Sequence, residues 1–345
     1  MVLDSTPAAS GAAAAAAAPA WGIAGHDWAV ALLARSLAQD NVAHAYLFSG
    51  PPGIGKYALA RAFAQALNCL EPPRCGRCRP CRLIARDAHP DVRPIVRPAD
   101  KKNLGIDEIK ELREDVALKP LEARYKVYLL REAEDLSEAA ANALLKTLEE
   151  PPPNVVLLLT AADASLLLPT VMSRCQHLRL RPVPRATVVA QCVAAGVSPA
   201  EAERLADLAA GRLGWALRAA ADPAVLAAYE QQVLQLERAL TDTRLARVQL
   251  ADTLAETWSA HPDRVREALG TWREWWRGRL LASLGVESSA SADADSVSVA
   301  GDATACWRAL ARVQQALDDL EANVNPRLAL EGLLLALPAA SRIIR

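Results

Sequence analysis

Up to about residue 181, short apolar runs alternate along the chain with segments of helical periodicity. Three apolar runs have the length of buried strands, and they occupy residues 43–48, 126–130 and 155–160. The segments with apolar residues at helical spacing are 57–67, 106–118 and the stretch that begins after Ser137. Strands that alternate with helices predict a doubly wound α/β domain with a parallel sheet.

Beyond residue 184 the strand pattern is replaced by helical patterns. Short helical segments separated by glycine and proline come first, and longer amphipathic helices follow. One stretch rich in Ser, Ala and Asp has no hydrophobic period, and we predict that it is a disordered loop. The predicted organisation is a disordered tail at 1–20, the α/β domain at 21–182, a small helical lid at 183–223, and a helical domain at 224–345 with the loop at 287–301.

A phosphate-binding motif follows the first apolar run. Gly50, Gly53, Gly55 and Lys56 fit the G-x-x-x-x-G-K pattern in its required context between a strand and a helix. In such loops backbone N–H groups and the lysine hold phosphates, and a Ser or Thr after the lysine ligates Mg²⁺. Tyr57 occupies that position, and its hydroxyl, at the far end of a ring, cannot ligate a metal there.

The carboxylate that would complete a magnesium site is also replaced. We expect an Asp at the end of a buried strand, but the run 126–130 is followed by Arg131 and Glu132. A guanidinium repels a metal cation rather than holding it. The loss of two ligands for the same metal predicts a nucleotide-hydrolase fold that does not hydrolyse ATP. Residual ATP binding at Lys56 stays open.

Four of the seven cysteines lie within thirteen positions as C-x₅-C-x₂-C-x₂-C, namely Cys69, Cys75, Cys78 and Cys81. Four thiolates at such spacing bind Zn²⁺ tetrahedrally and leave no open position for water. Disulfides are rare in a reducing compartment, and the alternative is four unbound surface thiols. We therefore predict a structural zinc module at residues 69–81.

The composition is that of an ordinary soluble protein, with 345 residues, 52% of them hydrophobic, and a net charge of −1. This charge excludes binding of nucleic acid or anionic membrane by the whole surface. No apolar run reaches the roughly 18 to 20 residues of a membrane span. The Ala-rich start has no basic residue before Arg35 and so lacks the positive region of a secretory signal. We expect a cytoplasmic protein without membrane contact.

A basic segment and a single arginine each allow a functional and a structural interpretation. Residues 69–102 contain nine Lys or Arg against four Asp or Glu, and the absence of interleaved aromatic residues favours a solvated surface over a nucleic-acid contact. Arg174 lies in Ser173-Arg174-Cys175 after the third strand. Such an arginine can enter a neighbouring subunit's site and stabilise a transferring phosphate, or it can form an ordinary salt bridge. Spacing alone leaves both interpretations open.

These motifs, with the segment NALLKTLEEPP at 142–152 and His89-Pro90-Asp91, resemble the clamp-loader subunits of bacterial DNA polymerase III. The similarity runs over residues 43–181, and the segment 323–334 is similar to the family's collar helices. The resemblance implies an AAA+ domain with a zinc insertion, a helical lid and a collar domain that oligomerises. Within the family, the tau and gamma subunits hydrolyse ATP, whereas the delta-prime subunit does not.

Three departures favour the non-hydrolysing type. They are Tyr57, Arg131 and Gly214, which stands where the hydrolysing relatives are expected to carry a second nucleotide-sensing arginine. Glu132 remains at the general-base position. The resemblance then implies that the chain assists ATP-dependent loading of the sliding clamp onto primer-template DNA, together with tau/gamma ATPase subunits and a delta subunit. Arg174 would be an arginine finger, completing the ATP site of an adjacent tau or gamma subunit.

Two other functions compete with this interpretation. A catalytic AAA+ ATPase of the tau or gamma type would hydrolyse ATP as an isolated chain, and Tyr57 and Arg131 argue against it. A zinc-knuckle module that binds nucleic acid would show salt-dependent affinity for DNA, and the net charge of −1 argues against that.

Overall fold

The computed structural model of the chain describes residues 21–98, 101, 103–285, 297–298, 303–322, 324–339 and 341–342. The predicted disordered tail at 1–20, and the predicted loop at 287–301 apart from 297–298, lie outside the described residues. The chain divides into two compact units, 1–183 and 184–345. The first is an α/β domain, as predicted, and the second is mainly helical.

A five-stranded sheet, in which all neighbouring strands are parallel, forms the centre of the first unit. Its strands, in the spatial order β2-β3-β4-β1-β5, are β1 (Ala45–Ser49), β2 (Val92–Ile95), β3 (Lys126–Leu130), β4 (Val155–Ala161) and β5 (Gln176–Arg179). The three inner strands β3, β4 and β1 are the three predicted apolar runs, and every one of their residues is buried. Helices that cover both faces of a parallel sheet explain why these runs are almost entirely apolar, and the buried Lys126 at the start of β3 pairs with Asp115.

The two edge strands are not predicted by the sequence pattern. β2 contains Pro94, which has no N–H group to donate to a neighbouring strand and is tolerated at a sheet edge. In β5 only Leu178 is buried, because one long side of this strand has no neighbouring strand. Both strands therefore lack the continuous apolar run that identifies the inner strands.

Six helices pack around this sheet, and they are α1 (Asp27–Ala38), α2 (Lys56–Leu67), α3 (Arg79–Ala85), α4 (Ile106–Val116), α5 (Glu138–Glu149) and α6 (Pro169–Met172). Successive strand residues point to opposite faces, so the sheet separates two apolar cores. One core contains buried residues of α1 and α2, and the other those of α4 and α5. Ser137 caps α5 as predicted, since its side chain accepts a hydrogen bond from the N–H of Ala140 at 3.2 Å.

The second unit is built from eight helices within the described residues. The first three pack on one another and are α7 (Arg185–Ala194), α8 (Pro199–Ala209) and α9 (Leu213–Ala221). The other five share one apolar core around the buried Trp272 and Trp276, and are α10 (Pro223–Thr241), α11 (Arg244–Ala260), α12 (Pro262–Ser283), α13 (Ala303–Glu321) and α14 (Pro326–Ala336).

The second unit also holds a short antiparallel strand pair that the sequence does not predict, β6 (Val297–Ser298) with β7 (Ser341–Arg342). The division of this unit into a lid and a second helical domain at residue 223 stays a prediction. None of the helices in the described parts of the chain combines the length and hydrophobicity needed to cross a membrane.

Candidate phosphate site, surface arginine and metal centre

The phosphate loop connects the carboxyl end of β1 to the start of α2. Gly50 and Gly55 have φ angles of 147° and 109°, in the region that favours glycine. A Cβ atom on Gly50 would lie 2.7 Å from the carbonyl oxygen of Leu180, so there is no room for a side chain. The loop therefore has the backbone geometry that its motif predicts, with Gly53 also at positive φ.

The lysine of the loop is held by carbonyl groups of the loop itself. Nζ of Lys56 donates to the carbonyl oxygens of Gly50 at 2.5 Å and Pro51 at 3.2 Å. Burial lowers the pKa of Lys56 to about 8, although the negative charges of Glu134 and Glu132 oppose this shift. A bound phosphate would have to replace these carbonyl oxygens as the partner of the ammonium group.

Glu134 is a residue of this site that sequence reasoning misses. Its Oε1 atom accepts a hydrogen bond from the N–H of Ala162 at 2.7 Å, which anchors the turn after β3 to the end of β4. Burial raises the pKa of its carboxyl group, while this hydrogen bond and Lys56 act in the opposite direction. The signal in the sequence is only a second acidic residue two positions after Glu132. Glu132 itself is exposed, at a φ of 52°.

The two residues predicted to stand in place of metal ligands, Tyr57 and Arg131, contact each other. The guanidinium carbon of Arg131 lies 4.7 Å from the centroid of the Tyr57 ring, and that of Arg61 lies 5.7 Å from it. The Tyr57 hydroxyl donates to Oδ1 of Asp87 at 2.9 Å. Burial and this hydrogen bond raise the pKa of Tyr57 to about 12. The pair thus offers a ring and a cation where Mg²⁺ would require a hydroxyl and a carboxylate.

Arg174 lies at the amino-terminal end of the parallel strands, and the phosphate loop lies at their carboxyl-terminal end. Strands β1 and β5 run parallel, with Tyr46 paired to Gln176 and Ser49 to Arg179. The loop follows the end of β1, whereas Arg174 precedes the start of β5. Five strand residues at about 3.3 Å each separate the two positions by on the order of 15 Å. Arg174 therefore cannot contact a phosphate held by its own loop.

Contacts within the chain hold the guanidinium group of Arg174 at the surface. Nη1 donates to the carbonyl oxygen of Thr170 at 2.8 Å and to Oγ of Ser173 at 3.3 Å. Nη2 lies 2.8 Å from Oε1 of Glu149, the last residue of α5. Nε has no hydrogen-bond partner within the described chain, and 34% of the side chain is exposed. The group is held in position but keeps free donors.

The turn before α9 contains an arginine that serves the fold rather than a ligand. Arg212 is buried and donates to the carbonyl oxygens of Ala209 at 2.9 Å and Leu208 at 3.1 Å, with its guanidinium 5.2 Å from the Trp215 ring. Gly214, in the first turn of α9, offers no side chain at the expected position of the nucleotide-sensing arginine.

The four clustered cysteines converge, as their spacing predicts. Their sulfur atoms all lie within 4.8 Å of one another, and those of Cys69 and Cys78 are 3.9 Å apart. Thiolates about 2.3 Å from a tetrahedral Zn²⁺ lie roughly 3.8 Å apart, so the donor set fits this ion. The N–H of Cys78 donates to the sulfur of Cys75 at 3.2 Å, and such bonds lower the pKa of Cys75 to about 7. The cluster can hold a metal such as zinc.

The basic residues around this cluster are mostly paired within the chain. Arg74 donates to Oε1 of Gln65 at 2.8 Å and to the carbonyl oxygen of Trp21. The ion pairs are Arg77–Glu71, Arg79–Glu122, Arg93–Asp115, Arg97–Asp135 and Lys101–Glu108. This pairing supports a solvated surface over a nucleic-acid contact.

The motif His89-Pro90-Asp91 has a structural role. Asp91 is fully buried, and its carboxylate accepts hydrogen bonds from the N–H groups of Leu121, Glu122 and Ala123 at 2.7, 2.8 and 2.9 Å. The carboxylate thereby fixes the loop between α4 and β3. No chemistry at the phosphate loop needs to be assigned to this motif.

Comparison with known proteins identifies the family. The family described as "DNA polymerase III, delta subunit" matches residues 25–184. The chain is 35% identical over 241 residues to DNA polymerase III subunit delta' of Pseudomonas aeruginosa. The aligned region covers 69% of this chain and 72% of that protein. It is 33% identical over 261 residues to DNA polymerase III subunit tau of Bacillus subtilis, and 73% of this chain is covered.

The parallel sheet and the loop at its carboxyl end define a protein with the P-loop α/β fold. The chain belongs to the family of DNA polymerase III clamp-loader subunits represented by delta-prime. It spans 45% of the length of the Bacillus subtilis tau subunit and 23% of the tau/gamma subunit of Haemophilus influenzae. Among solved structures, a DNA polymerase III gamma subunit-related protein from Thermotoga maritima aligns over 88% of this chain and 96% of that one, at 17% identity and a TM-score of 0.38. The assignment rests on the sequence matches.

Proposed function

We propose that the chain is the non-hydrolysing, delta-prime-type subunit of a clamp loader. It would assemble in the cytoplasm with tau/gamma ATPase subunits and a delta subunit, and assist ATP-dependent loading of the sliding clamp onto primer-template DNA. Its own contribution would be binding surfaces and one arginine, Arg174, inserted into the ATP site of a neighbouring tau or gamma subunit.

The contact between Tyr57 and Arg131 is the observation that carries the non-hydrolysing role. A catalytic tau or gamma type needs a small hydroxyl and a carboxylate on Mg²⁺, and both positions are taken by residues that stack 4.7 Å apart. The glycines and Lys56 leave the loop able to approach phosphate oxygens. Without a metal ligand, however, the loop lacks the charge that stabilises the transferring phosphate.

The position of Arg174 supports a role in another subunit. It lies on the order of 15 Å from its own phosphate loop, given the parallel pairing of β1 and β5 and the rise of a strand. An arginine with free donors, held at the surface away from its own site, is suited to a phosphate carried by a neighbour.

We further propose that Cys69, Cys75, Cys78 and Cys81 bind one structural Zn²⁺. Four sulfur ligands would complete the coordination of the ion and leave it without a place for substrate, so its contribution would be to hold the 69–81 segment in one conformation.

Reconstitution of the complex tests the proposed function. The chain is combined with the tau/gamma-type and delta subunits of the same organism, and ATP turnover is measured with clamp and primed DNA. We expect no turnover by the isolated chain. With Arg174→Ala, turnover by the complex should fall by about 10³-fold or more, the range seen for fingers supplied by a partner.

The matched control is Arg181→Ala, an exposed arginine just past the other end of β5. It should leave turnover and assembly unchanged. Turnover of ATP by the isolated chain, or full turnover by a complex that carries Arg174→Ala, would overturn the proposed function.

A further inference from the structure

We propose that Glu149 is a positioning residue that holds the Arg174 guanidinium in the orientation in which it meets a neighbour's phosphate. This inference rests on the proposed function of Arg174 and extends it to a second residue, 25 positions earlier in the chain and on a different element. Glu149 acts through Arg174 and touches no nucleotide itself.

The placement of Glu149 is electrostatically unfavourable for the helix that carries it. Glu149 is the last residue of α5, and Glu150 follows at the C-cap. A helix C-terminus carries partial negative charge, so carboxylates there destabilise the helix and cations stabilise it. Stabilisation of the helix therefore does not explain two successive carboxylates at this end. The 2.8 Å contact with Arg174 is an alternative explanation for the presence of Glu149.

The contact contributes little to folding stability. The side chains of Arg174 and Glu149 are 34% and 49% exposed, and ion pairs at such exposure have small net free energies. Substitution of Glu149 should therefore leave the fold intact. A change in catalysis by the variant can then be assigned to the orientation of Arg174.

The helix that carries Glu149 ends at a defined point. Pro151, Pro152 and Pro153 follow α5, and a proline restricts the residue before it to non-helical conformations, which ends the helix at this point. α6, whose Thr170 carbonyl also accepts from the guanidinium, packs against α5. Two helices that pack on each other, α5 and α6, thus both contact the guanidinium group of Arg174.

These contacts leave a usable edge of the guanidinium group. Arginine has five N–H donors, and Nη1 already donates to Thr170 and Ser173, while Nη2 faces Glu149. Nε remains without a partner in the described part of the chain. Nη1 is anchored by two hydrogen bonds and Nη2 by its ion pair, so the Nε–H group is left as a preorganised donor for a phosphate oxygen.

Steady-state ATP turnover by the reconstituted complex tests this role, with kcat and KM measured separately. We expect Glu149→Ala to lower kcat about tenfold, since a misplaced catalytic group loses rate without losing substrate binding, and to change KM for ATP less than about twofold. Glu149→Gln should lie between Glu149→Ala and the wild type, because its amide oxygen keeps an acceptor. Glu150→Gln is the matched control, one residue away with the same charge change, and should match the wild type.

The double variant separates positioning from any other role. If Glu149 acts only through Arg174, then Glu149→Ala adds no further loss of kcat to Arg174→Ala. An unchanged kcat with Glu149→Ala, or a further loss in the double variant, would overturn the positioning role while leaving the finger intact. An unchanged kcat with Arg174→Ala would instead overturn the finger, and the role of Glu149 with it.

Discussion

The ring of Tyr57 and the guanidinium of Arg131 lie in contact, so on the proposed function a single substitution would not restore a metal site. A hydroxyl introduced at position 57 would still face the positive charge of Arg131. A carboxylate introduced at position 131 would still lack a hydroxyl beside it, because the Tyr57 hydroxyl is held by Asp87. On the proposed function, loss of the metal site would thus depend on both residues.

Joint reversal of both substitutions should therefore restore nucleotide binding that depends on magnesium. We expect the double variant Tyr57→Thr with Arg131→Asp to bind ATP at least about tenfold more tightly with Mg²⁺ than with EDTA, since a hydroxyl and a carboxylate are typical Mg²⁺ ligands. Calorimetric titration measures both affinities. Each single variant serves as a control and should show no such difference. Equal affinities of the double variant in Mg²⁺ and EDTA would contradict the proposed cause.

The buried carboxylate of Asp91 should make folding stability depend on pH. Burial alone would raise the pKa of Asp91, but three N–H donors outweigh it and lower the pKa below its ordinary value. A carboxyl whose folded pKa is depressed stabilises the fold above its unfolded pKa, near 4, and loses this contribution as the pH falls through the folded pKa. The contribution of Asp91 is therefore complete at neutral pH.

We expect Asp91→Asn to lower the free energy of unfolding by about 1–3 kcal/mol at pH 7, because an amide cannot accept all three bonds. The difference from the wild type should shrink as the pH falls below about 4. Urea denaturation at several pH values measures it. Asp40→Asn, at an exposed pair with Arg124, is the control and should be nearly neutral. A difference that stays constant down to pH 3 would contradict this account.

At the scale of elements, the cysteine-rich segment is fastened to the helix that follows the phosphate loop. Nε2 of Gln65, on α2, donates to the carbonyl oxygen of Cys81 at 2.7 Å. Oε1 of the same side chain accepts from Arg74, which also reaches the carbonyl oxygen of Trp21. A metal held by the cysteines would therefore stabilise α2 and the start of the domain together with the 69–81 segment.

Removal of the metal should lower the stability of the α/β unit. We expect one zinc ion per chain by elemental analysis, and a decrease in melting temperature when a strong chelator is added. Cys75→Ser should lose the bound zinc, whereas Cys175→Ser, outside the cluster, should keep it. A chain that contains no zinc, and whose melting temperature is unaffected by chelator, would contradict a structural zinc site.

At the scale of the molecule, the inner strands and the cysteine cluster could be predicted because their determinants are local. Each inner strand is a predominantly apolar run, and the four cysteines lie within thirteen positions. The edge strands could not be predicted, because half of their environment is solvent. The contact of Arg131 with Tyr57, and that of Arg174 with Glu149, join residues of different elements. Only the packing of those elements brings them together.

The charge of the whole chain predicts weak binding of nucleic acid outside a complex. The net charge is −1, and most basic residues near the cysteines are paired with carboxylates. We expect the isolated chain to bind duplex DNA more weakly than about 10⁻⁴ M at physiological salt, with a small slope of affinity against salt. Fluorescence anisotropy over a salt series measures both. Tight, steeply salt-dependent binding would favour the zinc-knuckle function.

The parallel pairing of β1 and β5 also gives the domain a direction. Arg174 lies near the start of β5 and the phosphate loop near the end of β1. If Arg174 acts on a neighbour's nucleotide as proposed, such domains would join head to tail through two unlike surfaces rather than about a two-fold axis. On the proposed function, the phosphate loop of this chain hydrolyses no ATP and so does not require a guanidinium group from a neighbour. The chain would therefore suit the end of a row of subunits, at the position where no neighbour supplies an arginine. Its presence at that end would fix the order of the other subunits.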